Sequence, residues 1–141
     1  MTIYGIKIKD INHIKPEGVK DLLKIVDAYD ACVSDCTDSD GNISDTAILE
    51  WLENYESECY HGIGALLYDA MVAHENCDIN IDEANGSIYV GLSLALPWWF
   101  SPATKRMTET EYKNMLLSYV KKITDDPVIP STYTFYDDAD Y

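Results

Sequence analysis

Residues 78–96, DINIDEANGSIYVGLSLAL, decide the fold because two alternating apolar segments lie on either side of a turn. Asn85-Gly86 is a strong signal for a two-residue hairpin turn, since both residue types tolerate positive φ angles. Apolar residues stand at alternate positions before this turn and after it, as far as Leu96. The alternation predicts an antiparallel hairpin with one buried face. The opposite face carries mostly small residues, so a helix could pack closely against it and cover both faces.

Apolar residues at helical spacing cover most of the remaining chain. Pro16 suits the first turn of a helix, and the spacing that follows predicts a helix over 16–31. The same spacing predicts helices over 48–59 and 63–74. Residues 108–111, TETE, match a capping box and predict the start of a further helix, which ends before Asp125.

Two other segments have the character of strands. The alternation at 3–8 predicts an N-terminal strand, and STYTFY at 131–136 predicts a last edge strand. The fold class is therefore α+β, with a small antiparallel sheet packed by about four helices. The length of 141 residues and the apolar content of 47% fit one domain over 1–141, with a loose acidic tail from about residue 137.

The negative charge is concentrated in the middle of the chain. The formal net charge is −15, and no Lys or Arg lies between Lys24 and Lys105. That stretch contains 15 of the 25 acidic residues. Such segregation predicts a field that repels nucleic acid and anionic membranes and attracts a basic partner. The alternative is an ordinary solvated surface.

Six carboxylates in this stretch are the candidate contacts for a basic partner: Asp35, Asp38, Asp40, Glu50, Glu53 and Glu56. On the predicted second helix, Glu50 and Glu53 lie one above the other, with Glu56 continuing the row obliquely and no Lys to pair with them. Trp98 in the aromatic segment PWWF is a candidate anchor for an interface, and Tyr55 is another.

Residues 36–47, CTDSDGNISDTA, partly match a calcium-binding EF-hand loop. Asp38, Asp40 and Gly41 fit its third, fifth and sixth positions, but Cys36 and Ala47 cannot supply the first and twelfth ligands. A surface turn is therefore favoured over a weak calcium site.

The four cysteines have no spacing typical of a zinc site: Cys32, Cys36, Cys59 and Cys77. Reduced thiols in the cytoplasm are the favoured interpretation, and neither a metal nor another cofactor is predicted. A metal-binding domain, with a weak calcium loop or a zinc site made by cysteines and histidines, remains an alternative.

No catalytic motif is present, so no catalytic residue is assigned. An enzyme whose carboxylates meet only in the fold remains an alternative, as does a structural or dimeric component. The N-terminal residues do not resemble a signal peptide. The longest nearly apolar run, 90–100, is interrupted by Ser93 and Pro97, so no membrane span is predicted.

From Ser87 to Asp126, the segments SIYVGLSLALPWWF and MTETEYKNMLLSYVKKITDD resemble small proteins carried by bacteriophages and other bacterial mobile elements. Compact acidic proteins of this kind are similar in size and charge to anti-CRISPR inhibitors and other nucleic-acid mimics. The resemblance implies a protein of the bacterial cytoplasm that blocks a basic nucleic-acid-binding protein, such as a CRISPR effector. It implies no direct contact with nucleic acid or membrane, permits a homo-oligomer and identifies no residue.

Overall fold

The computed structural model describes residues 1–136, which form six helices and two antiparallel sheets. The strands are β1 (Thr2–Lys7), β2 (Glu56–Ser57), β3 (Tyr60–His61), β4 (Asn80–Ala84), β5 (Ser87–Ser93) and β6 (Ser131–Thr134). The helices are α1 (Pro16–Ile25), α2 (Tyr29–Cys36), α3 (Asp45–Glu53), α4 (Ile63–His74), α5 (Pro102–Lys105) and α6 (Glu109–Ile123). The predicted loose tail from about residue 137 lies outside the described residues.

The predicted hairpin forms one half of the main sheet, whose strand order is β4-β5-β1-β6. Asn85 and Gly86 make its turn with φ angles of 53° and 77°, as the sequence predicts. The N-terminal strand pairs with β5, and β6 pairs with β1 at the edge. The α+β class is therefore confirmed, with six helices in place of the expected four or so.

Aromatic rings cover the face of the sheet where the small residues had suggested a helix. Gly5 and Gly91 lie opposite each other at the centre of the β1–β5 pair. On the same face, the ring of Tyr89 lies 4.8 Å from that of Tyr133 and 5.0 Å from that of Phe135. Because Tyr89 lies on β5 and Tyr133 on β6, the contact between their rings spans β1 on the face that carries Gly5.

The helices pack on the other face of the sheet and form the core. Its fully buried side chains come from both layers: Ile6, Val19, Leu22, Leu23, Leu66, Leu67, Met71, Val90, Leu116, Val120 and Ile123. Helix α1 contacts both α4 and α6, and its contact with α6 is unusually close at Gly18. A Cβ atom on Gly18 would lie 1.7 Å from the carbonyl oxygen of Lys122. The neighbouring Lys15 N–H donates a hydrogen bond of 2.6 Å to the carbonyl oxygen of Ile123.

The helix predicted over 16–31 is wrong in its C-terminal half, because the chain turns after α1. Asp27 adopts a left-handed φ of 59°, and the N–H of Ala28 donates to the carbonyl oxygen of Leu23 over 2.8 Å. This bond is typical of a helix C-terminus. Helix α2 then begins at Tyr29, so the segment forms two helices.

The helix predicted over 48–59 is also wrong in its second half. Ser44 caps the start of α3 by accepting a hydrogen bond from the Ala47 N–H, but the helix ends at Glu53. A short hairpin, β2–β3, follows, and its turn residues Glu58 and Cys59 have φ angles of 52° and 69°. Glu56 therefore lies on a strand and does not continue the row on α3.

The remaining two predicted helices are confirmed. Helix α4 has the predicted bounds, and α6 begins with both hydrogen bonds of the capping box between Thr108 and Glu111. Within residues 1–136, none of the helices is both long and apolar enough to cross a membrane.

Candidate protein-binding surface

All six predicted carboxylates are exposed, and they lie along residues 35–56, which we call the acidic surface. Three side chains hold this segment on the core: Cys32 of α2 and Ile48 and Leu52 of α3 are 2–3% exposed. Because the apolar side of each helix faces inward, the charged residues of α2 and α3 point to solvent. The segment contains no Lys or Arg.

Asp35 joins the two helices of the acidic surface. Its carboxylate accepts a hydrogen bond of 2.9 Å from the indole N–H of Trp51 on α3. The Trp51 ring in turn lies 6.1 Å from the ring of Tyr55. Asp35 is exposed but has one oxygen engaged, so it orients α2 against α3 as well as contributing charge.

Asp38 organises the loop between α2 and α3. Its Oδ1 accepts hydrogen bonds of 2.9 Å from the N–H groups of Asp40 and Asn42, and Gly41 supplies a φ of 82°. This is a turn stabilised by an aspartate side chain, as favoured from the sequence. In the described part of the chain, no three His, Cys, Asp or Glu side chains gather in an arrangement that could hold a metal ion.

Glu50 and Glu53 are exposed near the C-terminal end of α3, about one turn apart. Glu56 is separated from them by the end of the helix and lies on β2, where its carboxylate is 3.7 Å from Nε2 of His61. Glu56 therefore has a histidine within ion-pairing distance. Within residues 1–136, neither Glu50 nor Glu53 forms an ion pair.

The β2–β3 hairpin is attached to α4 through Asp69, a residue that the sequence did not single out. The carboxylate of Asp69 accepts hydrogen bonds of 2.5 Å from the Tyr55 hydroxyl and from the Ser57 hydroxyl. Burial and the hydrogen bond to Asp69 raise the pKa of Tyr55. The predicted anchor Tyr55 is therefore engaged within the protein, where it fixes the position of the hairpin.

Two lysines from outside the central stretch flank the acidic surface on α1. Nζ of Lys20 lies 2.7 Å from the carboxylate of Glu17, and Asp45 also acts on Lys20 electrostatically. Nζ of Lys24 lies 4.8 Å from the centre of the Tyr29 ring. The negative field is therefore weaker toward α1 than over α3.

Trp98 is exposed but lies apart from the elements that carry the six carboxylates. It belongs to a 3-10 turn at Pro97–Trp99 that follows β5, and 65% of its surface is exposed, against 74% for Trp99. Nearby, an open groove of about 430 Å³ is lined mainly by apolar atoms, including those of Tyr4 and Leu92. The six carboxylates thus lie exposed along one continuous segment, whereas Trp98 belongs to a separate element.

All four cysteines are free thiols. The sulfur atoms of Cys32 and Cys36 lie 3.8 Å apart on α2, and burial raises the pKa of Cys32 to about 12. The thiol of Cys32 is therefore a packing group and a poor nucleophile at neutral pH.

Comparisons of the chain with models of known protein families, with curated proteins and with solved structures find no match.

Proposed function

We propose that the protein is a non-catalytic binding module whose acidic surface occupies the basic, nucleic-acid-binding surface of another protein. The observation that carries this proposal is the exposure of all six carboxylates along 35–56, a segment without a single base. An origin in a phage or mobile element, and a CRISPR effector in the bacterial cytoplasm as the partner, belong to the same proposal.

The chemistry of the surface supports a decoy for phosphates. Carboxylates pair with guanidinium and ammonium groups through the same charge-assisted hydrogen bonds that phosphates make. The field of a chain with a net charge of −15 accelerates the encounter with a cationic groove, and the effect falls as salt is added. Asp35 and Asp38 are held in place by hydrogen bonds, so part of the surface is ordered before binding.

The test reverses the charge at Glu50 and Glu53 on α3. The Glu50→Lys/Glu53→Lys variant and the wild type are used to capture proteins from a bacterial lysate at low and high salt, and DNA is then added as a competitor. We expect the wild type to retain a basic nucleic-acid-binding protein that salt and DNA release. The variant should bind it about tenfold more weakly for each reversed charge.

The matched control is Asp10→Lys/Glu83→Lys, which changes the net charge equally at two exposed positions outside the acidic surface. We expect it to retain the partner nearly as well as the wild type. Equal capture by the α3 variant and the wild type, or a captured protein that DNA does not displace, would exclude the acidic surface as a phosphate decoy.

A further inference from the structure

The two edge strands of the main sheet differ in charge. β4 carries Asp82 and Glu83, and charged residues on an edge strand discourage pairing with another chain. β6 and its flanks, PVIPSTYTFY at 127–136, contain no charged side chain. In a chain with a net charge of −15, this segment can therefore pair with a second copy of itself without placing like charges directly opposite each other.

Within residues 1–136, the backbone groups on the outer edge of β6 have no partner strand. Phe135 donates a 2.8 Å hydrogen bond to the carbonyl oxygen of Met1, and the amino group of Met1 donates to the carbonyl oxygen of Phe135. Because bonding alternates along an antiparallel pair, the odd-numbered residues of β6 bond to β1. The N–H and C=O groups of Thr132 and Thr134 therefore point away from the sheet, and both residues are exposed.

We infer that this edge binds a second copy of the chain, with the two β6 strands antiparallel and related by a two-fold axis at Tyr133. In this register Thr132 of one copy lies opposite Thr134 of the other, and the pair of strands gains four backbone hydrogen bonds. The two four-stranded sheets become one continuous sheet.

Apolar residues at the two ends of β6 favour a second copy over an unrelated strand. Tyr136, two residues after the end of β6, is 85% exposed, and Ile129, two residues before its start, is 63% exposed. The two-fold register places Tyr136 of each copy opposite Pro130 of the other, so each exposed tyrosine ring packs against a proline of the partner copy. Pro130 has no N–H, which ends the ladder of hydrogen bonds at that point.

The effect of salt on binding distinguishes the proposed dimer contact from the proposed contact between the acidic surface and a basic partner. Two copies that each carry a net charge of −15 repel each other at long range, so added salt should strengthen their association. Binding of the acidic surface to a basic partner should weaken under the same conditions. The two proposals can therefore fail independently.

The test is sedimentation of the purified protein over a wide range of concentration and salt. We expect the mass to rise from 15.9 kDa to twice that value as the protein concentration increases. In high salt, this rise should occur at a lower protein concentration. Thr132→Pro removes one outward N–H from each copy and should raise the dissociation constant of the dimer about thirtyfold. Thr134→Lys, which places a charge on the edge, should raise it about tenfold.

Val72→Lys is the matched control, since Val72 is 49% exposed on α4 and the substitution changes the net charge as Thr134→Lys does. It should leave the dimer intact, and circular dichroism should show that all variants are folded. Hydrogen exchange should show the amides of Thr132 and Thr134 protected at high concentration and exposed on dilution. The inference is overturned by a wild type that stays monomeric to millimolar concentration in high salt, or by edge variants that dimerise as well as Val72→Lys.

Discussion

Replacement of Gly18 by Ala should destabilise the protein through the contact between α1 and α6. The added Cβ would lie 1.7 Å from the carbonyl oxygen of Lys122, whereas real Cβ atoms need at least 3.0 Å. Because the obstacle is backbone, the two helices must separate by about 1.3 Å or more at this point. That movement also breaks the hydrogen bond from Lys15 N–H to the carbonyl oxygen of Ile123, which is 2.6 Å long.

The opposing effects can be compared in magnitude. Overpacking of a tight contact costs about 3 kcal/mol, and the lost hydrogen bond about 1 kcal/mol. Ala is favoured over Gly within a helix by about 1 kcal/mol, so the net loss of stability should be about 3 kcal/mol. For a chain of this size, such a loss lowers the melting temperature by about 10 °C.

Urea and thermal unfolding followed by circular dichroism measure this loss. Gly64→Ala on α4 is the matched control, because its Cβ would lie 3.0 Å from Cγ1 of Ile8 and 3.3 Å from Cγ2 of Ile88, and these side-chain atoms need to shift by only a few tenths of an ångström. We expect the control to lie within about 1 kcal/mol of the wild type. If Gly18→Ala is as stable as the wild type or more stable, helix propensity outweighs the contact and the proposed packing of α1 on α6 is incorrect.

Three other changes test separate parts of the fold. Gly91→Ala places a Cβ 2.2 Å from the carbonyl oxygen of Tyr4, and urea unfolding should show a loss of about 2 kcal/mol or more. Thr108→Ala removes the cap of α6 and should cost about 1 kcal/mol in the same assay. Two backbone N–H groups and a histidine side chain hold the pKa of Asp126 at about 2, below its usual 3.8. Its contribution to stability is therefore complete above pH 3.8 and is lost as the pH falls through about 2. Asp126→Asn should flatten the dependence of stability on pH in that window, and Asp125→Asn should not; equal acid sensitivity of both variants would contradict this reasoning.

The hairpin and the strongest helices could be predicted because their signals are local. Asn85-Gly86 and the capping box at Thr108 each set a backbone conformation with residues adjacent in sequence. The break after α1 has no such signal, because Asp27 is not a glycine and apolar spacing continues through it. Its left-handed φ is accompanied by a bond from Ala28 to Leu23 that forms only once the helix has ended.

The hairpin β2–β3 could not be predicted for a different reason. Tyr55 and Cys59 continue the helical spacing of α3, so a periodic pattern favours a longer helix. The competing interaction is the bond from the Tyr55 hydroxyl to Asp69, which belongs to α4. A contact between two elements thus outweighs the helical spacing of the apolar residues, and the sequence of residues 48–59 alone gives no sign of that contact.

Exposure of the carboxylates could be predicted, whereas their individual roles could not. A stretch without Lys or Arg cannot neutralise its acids internally, so solvent is the remaining environment for most of them. The bond from Trp51 to Asp35 depends on the packing of α2 against α3, and its spacing of 16 residues matches no helical or strand period. The turn at Asp38 has a local signal, since an aspartate four residues before Asn42, with Gly41 between them, is typical of such loops.

These roles locate the proposed contact within the acidic surface. Asp35 is tied to Trp51, one oxygen of Asp38 is directed at its own loop, and Lys20 weakens the field on the side of α1. Glu50 and Glu53 lie on α3, whose last turn has no basic residue, and neither forms an ion pair within residues 1–136. An arginine or lysine of a partner would therefore gain most at these two carboxylates, because they need not give up an existing ion pair to bind it. For this reason, replacing Glu50 and Glu53 by Lys should weaken binding of the partner more than replacing Asp35 and Asp38 by Lys. A larger loss of binding from the Asp35 and Asp38 replacements would place the contact on α2 and the loop after it.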